Sequence, residues 1–179
     1  SGGSYTVNDG LSANAPFKTL QKAADVICAS AHAYGVVYAA AGLYDEASQG
    51  TTSVGDSYGT HPSILAVTNT TTFIRFKGAG TALSMIEGKA DTVTAYYGGC
   101  GPDAIRCVYF GNVGVIQGFT LKNGFSGWIG DSTGMSLSTG GSIYGSTYTI
   151  GADCVFSNSA AARGASDAVA TSRAISASV

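Results

Sequence analysis

The sequence predicts an all-β fold, a right-handed parallel β-helix (β-solenoid) with an N-terminal strand and a capping α-helix. Three observations carry this expectation. The first is the stretch 105–124, where three short apolar runs, Ile105 to Phe110, Val113 to Ile116 and Phe119 to Lys122, are separated only by Gly-Asn and Gln-Gly. Connections this short hold no crossover helix and lack the Asn-Gly or Asp-Gly signature of a two-residue hairpin, so the stretch reads as strand, corner, strand, corner. The second is composition: charged residues make up 11% and there are 26 glycines in 179 residues, against roughly 25% and ~7% in ordinary globular proteins. Short strands with glycine corners and neutral, hydroxyl-rich faces fit those proportions. The third is that the apolar period changes from two to three-and-four only once, near the start of the chain. Right-handed winding follows because parallel crossovers nearly always have that hand.

In order, Ser4 to Asn8 alternates in the strand sense and ends at the turn Asn8-Asp9-Gly10. From Pro16, which suits a first helical turn, Phe17, Leu20, Ala24 and Ile27 share one helical face, with Lys18, Gln21, Lys22 and Asp25 largely opposite. The helix fades by 31–33, and Val36 to Ala40 is a strand. Residues 47–60 are rich in Ser, Thr and Gly and read as a surface loop. Strands return at Ser63 to Thr68, Thr72 to Lys77, Ser84 to Glu87 and Thr92 to Tyr97. In the central stretch, alternation puts Ile105, Cys107 and Tyr109 on one face and Phe119 and Leu121 inside. Asn112, Asn123 and Asn158 each end a strand at a corner, where an asparagine tolerates a left-handed backbone and can bond corner amides or the equivalent asparagine one coil away. Residues 124–138 form a second hydroxyl-rich loop. The last stretch, 161–179, is mostly Ala and Ser, and reads as one more thinly packed coil. The whole is a single domain, with 1–46 as strand, capping helix and first coil and 47–179 as the coils.

Asn8-Asp9-Gly10-Leu11-Ser12, the helix beginning Ala15-Pro16-Phe17 and the run Val37 to Tyr44 together resemble the N-terminal segment of right-handed parallel β-helix proteins of the pectate-lyase-like superfamily. In that superfamily the segment caps the open end of the coil and specifies no substrate. Gly140-Gly141-Ser142-Ile143 and Phe156-Ser157-Asn158 are similar to the Gly-Gly-Ala-Ile and Phe-x-x-Asn repeats of bacterial polymorphic outer-membrane and related surface β-helix proteins. Here Ser142 stands in the alanine position and the second motif is one residue short.

A net charge of −2 offers no basic footprint for nucleic acid or anionic membranes, and the apolar run Val26 to Tyr44 is too polar at its centre for a transmembrane segment. Four cysteines, Cys28, Cys100, Cys107 and Cys154, allow three pairings. Cys100 and Cys107 are close enough in sequence to clamp the loop between them, while Cys107 and Cys154 also read as small inward fillers. Two distant histidines and no Cys-x-x-Cys leave no zinc signature and no metal site. The eleven carboxylates are scattered, no Gly-x-Ser-x-Gly occurs, and no catalytic residue or cofactor is indicated. Trp128, between glycines, either stacks on a sugar ring or lies on the side of its own coil.

The function expected on these grounds is that of a non-enzymatic extracellular building block of a surface fibre, adhesin or cell-surface layer, exported with its signal removed. The alternatives are a polysaccharide lyase or hydrolase and a glycan-binding module. Its partners would be copies of itself or further coils of a longer chain, and glycans. The end expected to be uncapped, with Ile175 and Val179, and the free strand Tyr5, Thr6 and Val7 are the candidate assembly elements.

Overall fold

The computed structural model describes residues 8–30, 32–56, 59–69, 71–92, 98–111, 113–127, 140–145, 148–161 and 167–169. Helix α1, Leu20–Ala29, starts where the Thr19 side chain accepts from the Lys22 amide at 3.1 Å, the usual way a hydroxyl satisfies an orphan N–H. It buries Leu20, Ala23 and Ala24. Strands β1 (Tyr34–Tyr38) and β2 (Gly42–Tyr44) lead to α2, Glu46–Gln49. There Asp45 and Ser48 exchange side-chain bonds to each other's backbone amides in a capping box. Strands β3 (Thr52–Asp56) and β4 (Gly59–Val67) then form an antiparallel hairpin. The surface loop expected over 47–60 is therefore a helical turn and a hairpin, because the local caps and the pairing with 59–63 outweigh the loop-like composition.

Eleven more strands follow: β5 (Phe73–Lys77), β6 (Ser84–Glu87), β7 (Arg106–Phe110), β8 (Val113–Gln117), β9 (Thr120–Lys122), β10 (Phe125–Ser126), β11 (Ile143–Gly145), β12 (Tyr148–Ala152), β13 (Val155–Ser157), β14 (Ala160–Ala161) and β15 (Asp167–Val169). Consecutive strands go to different sheets. The orders are β1-β5-β8-β12, β2-β6-β9-β13 and β3-β4-β7-β11-β15, with β10 and β14 paired separately. All pairs between these strands are parallel except β3 with β4. In the later part of the chain the register is constant: Val108 meets Ile143, Val113 meets Tyr148 and Thr120 meets Val155. Side-chain bonds repeat it, as Asn158 Nδ2 donates to Asn123 Oδ1 at 2.6 Å across 35 residues, and Asn123 Nδ2 donates to Glu87 Oε1 at 2.6 Å. Both asparagines hold positive φ, 52° and 46°, so the corner role expected for them has a geometric basis. Asn112 lies outside the described residues.

The all-β right-handed solenoid expected from the sequence is corrected by this arrangement. The described strands fall into three separate sheets of four or five short strands and the pair β10-β14, all parallel except the hairpin β3-β4 at one edge of the five-stranded sheet, and are accompanied by two helices, an α/β-type organisation. Alternation within a run marks a strand and its two faces, but the partner of each strand is decided by contacts far along the chain. The strand expected at 5–7 and most of that expected at 92–97 lie outside the described residues, as does nearly all of the coil expected over 161–179.

The core lies between the sheets. Leu65, Val67, Ile74, Phe76, Ile86, Val108, Phe110, Ile116, Phe119, Leu121 and Ile143 are buried in one cluster that also takes in Leu20, Ala23 and Ala24 of α1. Cys107 is in this cluster, but Tyr109 packs with Val54, Ala66 and Tyr144 in a second one. The expected common face of Cys107 and Tyr109 is thus corrected. Gln21, placed by helical periodicity on the polar side of α1, turns its amide to the strand: Nε2 donates to the Ala66 carbonyl and Oε1 accepts from the Ala66 amide, both at 2.8 Å. A side-chain amide here completes a backbone ladder position that would otherwise be unpaired.

Candidate functional site

Parallel pairing aligns the outward side chains of β1, β5, β8 and β12 into rows across a flat face. Strand β5 alternates so that Ile74 and Phe76 are buried while Arg75 and Lys77 are exposed. In register, Arg75 lies between Val36 and Val115, with Ile150 beyond, and Lys77 lies between Tyr38 and Gln117. Phe73 stacks on Tyr34 with ring centroids 5.4 Å apart and planes 13° from parallel. Tyr34 is 52% exposed, Tyr38 77% and Ile150 44%. At the rim, Gln117 Nε2 donates to Asp153 Oδ2 at 3.1 Å. The ion pairs among the described residues are Lys89 with Glu46 and Lys122 with Glu87, both at 3.0 Å. Neither Arg75 nor Lys77 takes part in one. Tyr34, Tyr38 and Ile150 are therefore open to solvent beside two cations, while Val36 is half-buried and Val115 buried, and exposed apolar clusters mark interaction sites more often than isolated exposed side chains do.

A second polar concentration lies on the five-stranded sheet. Arg106, 1% exposed, donates from Nε to the Gly140 carbonyl at 2.7 Å. Its guanidinium carbon lies 5.9 Å from the Tyr109 ring centre and 5.3 Å from that of Tyr144, and those two rings stack 5.0 Å apart. Burial lowers the Arg106 pKa to about 10, with the tyrosines and Cys107 opposing the shift, so the group stays cationic at neutral pH. Ser63 is the register partner of Arg106, and His61 lies two residues before it on β4; both are buried. The Arg106–Gly140 bond ties β7 to the segment that leads into β11. Beside it, a shallow cleft of about 240 Å³ is lined by Glu46, Pro62, Lys89, Asp103 and Ile105 among others. Across it runs the exposed Lys89–Glu46 pair.

The sequence-expected site residues are not brought together. Trp128, Tyr5, Thr6, Val7, Ile175 and Val179 lie outside the described residues. The Cys100–Cys107 clamp is corrected: all four cysteines are free thiols. Cys100 packs with Ala104 and Phe125, while Cys107 sits in the main core with its Sγ 3.5 Å from the Ile86 carbonyl and 3.3 Å from that of Lys122. Burial pushes the Cys107 thiol up to about 12, and burial also raises Cys100 and Cys154. In the unfolded chain this thiol would ionise near 9. The folded state therefore holds the proton more tightly, and the stability Cys107 contributes is complete below about pH 9 and lost as the pH rises towards 12. Native protein at pH 8 is expected to leave Cys107 unlabelled by a thiol-specific disulfide reagent, with full labelling in denaturant; rapid native labelling would show that the site opens.

Arg75 and Lys77 were legible in the sequence only as charges on a strand. Their neighbours Tyr38, Val36, Val115 and Ile150 are set by cross-strand register and carry no local motif. Among the described residues no group of three or more His, Cys, Asp or Glu side chains is placed to hold a metal ion, and no helix is long and apolar enough to cross a membrane. Comparison with known proteins finds no matching family, no matching curated protein and no matching solved structure.

Proposed function

We propose that the chain is a non-enzymatic building block of an extracellular surface, serving in a fibre, adhesin or cell-surface layer through the outer faces of its sheets. The observation that carries this reading is the exposure of large apolar side chains on two of those faces: Tyr34, Tyr38 and Ile150 on one, Leu43 and Val155 on the other. Apolar side chains left in water on flat sheets favour association with a surface or with other molecules. The burial of Cys100, Cys107 and Cys154 is compatible with an extracellular setting, since protonated, enclosed thiols resist oxidation without needing to be paired. Purified protein at rising concentration is expected to form ordered assemblies or a surface layer in negative-stain images, and to release no unsaturated uronates from acidic polysaccharides. Monodisperse particles that neither assemble nor adsorb, or turnover of a polysaccharide, would overturn the proposal.

A further inference from the structure

We infer that Asn123 and Asn158 form an ordered deamidation site, in which Asn158 is modified first and the loss of its donor then releases Asn123.

Among the asparagines of the chain, only Asn123 is followed by glycine and only Asn158 by serine. Deamidation begins when the backbone nitrogen of the following residue gives its proton to solvent hydroxide and attacks the asparagine Cγ. The new N–Cγ bond closes a succinimide ring, the Cγ–Nδ2 bond breaks, and Nδ2 takes a proton from water and leaves as ammonia. Water then opens the ring to aspartate or isoaspartate. A following glycine, with no side chain and a freely turning backbone, obstructs ring closure least. In an unfolded chain Asn123 is therefore the more labile of the two.

The fold reverses that order. Asn123 Nδ2 donates to Glu87 Oε1 and its Oδ1 accepts from Asn158 Nδ2, both at 2.6 Å. The nitrogen that would attack, that of Gly124, donates to Ser159 Oγ at 3.2 Å. Gly124 is buried, and the space a Cβ would need there is taken by the Gly141 carbonyl, so its backbone has no room to turn the nitrogen onto Cγ. Asn158 instead is exposed, just past β13, the outer strand of its sheet. Such edges open locally far more often than packed interiors do.

The first step prepares the second. A carboxylate at 158 has no proton to give to Asn123 Oδ1, and turning the Asn123 amide over would take the donor away from Glu87. Two carboxylates then compete for one NH2 group, with like charges close on neighbouring strands. Lys122 already pairs with Glu87 at 3.0 Å. The corner after β13 loosens, Ser159 leaves the Gly124 amide, and Asn123 follows. Isoaspartate routes the backbone through an extra carbon, so a corner so modified cannot return to its register. The modification thus sets a finite lifetime for the β13 edge.

The test follows both asparagines during incubation in mildly alkaline buffer, with and without denaturant, by mass spectrometry of chymotryptic peptides. Cleavage after the aromatic residues between the two sites separates them. In denaturant Asn123 is expected to react first. In native protein Asn158 should react first, with Asn123 slowed about tenfold or more relative to the unfolded chain. Asn158→Asp, which enters the second stage directly, and Ser159→Ala, which removes the acceptor of the Gly124 amide, should each speed native Asn123 about threefold or more. Gln117→Ala breaks the bond to Asp153 at another corner and should leave the Asn123 rate at the wild-type value. Circular dichroism checks that each variant is folded. Should a variant fail to fold, the order of the two sites in wild-type protein decides. The inference is overturned if Asn123 reacts before Asn158 in native wild-type protein, or if Asn158 stays intact there as long as Asn123 does. It is equally overturned if folded Asn158→Asp or Ser159→Ala leaves the Asn123 rate unchanged, or if Gln117→Ala speeds it as much.

Discussion

Replacing Phe119 by alanine is expected to destabilise the protein by about 3–5 kcal/mol, the range for deleting a fully enclosed aromatic ring. Phe119 is 0% exposed and precedes β9 at a corner, where its ring reaches the centre of the main cluster. Tyr44 of β2 meets it edge-on, with centroids 6.3 Å apart and planes at 64°, the offset geometry that adds to simple burial. The residues around the ring belong to short strands pinned by parallel pairing, so they have little freedom to close the cavity. Urea unfolding followed by circular dichroism should show a lower midpoint with an unchanged slope. Tyr38→Ala, on the exposed face, should change stability by less than about 0.5 kcal/mol. A loss below about 1 kcal/mol for Phe119→Ala would mean that the core is not organised around this ring.

The second large effect is expected at Gly141. A Cβ there would run into the backbone carbonyls of Gly124 and Ala160. Neither obstacle is a flexible side chain that can swing away. The same segment donates and accepts across the stack: the Cys107 amide bonds the Gly141 carbonyl at 3.2 Å, and Ser142 Oγ lies 2.6 Å from Ser159 Oγ. Gly141→Ala must therefore separate neighbouring strands, and an overpacking cost of about 1–3 kcal/mol or more is expected. Gly42→Ala is the matched comparison, since nothing lies within 4 Å of its added methyl, and it should be neutral or slightly stabilising. Equal unfolding midpoints for the two variants would show that the close approach at Gly141 is not maintained in solution.

The two substitutions also show where sequence reasoning reaches and where it stops. Phe119 and Leu121 were legible as inward residues because strict alternation in a short run leaves one face apolar, and both are fully buried. The role of Gly141 was not legible, since a Gly-Gly pair reads as punctuation until the carbonyls of 124 and 160 are seen on either side of it. The outer face of β5 is a similar case. Phe73 and Phe76 do not share a face under strict alternation, so the sequence left the inward set of this strand open, and it is the structure that turns Arg75 and Lys77 outward. Nothing local indicates that Tyr38 and Val115 stand beside them.

Local physics determined the short strands, the glycine and asparagine corners, the amphipathic helix and most of the inward residues, because each depends on the period of side-chain polarity or on a backbone conformation that few residues tolerate. Only the tertiary structure decided which strands pair, that 47–60 holds a helical turn and the first strand of a hairpin, that Gln21 completes the β4 ladder at Ala66, and that Cys100 and Cys107 stay apart. Those outcomes depend on contacts between segments tens of residues apart, where several registers satisfy the same alternation and the one adopted is selected by packing of the whole core.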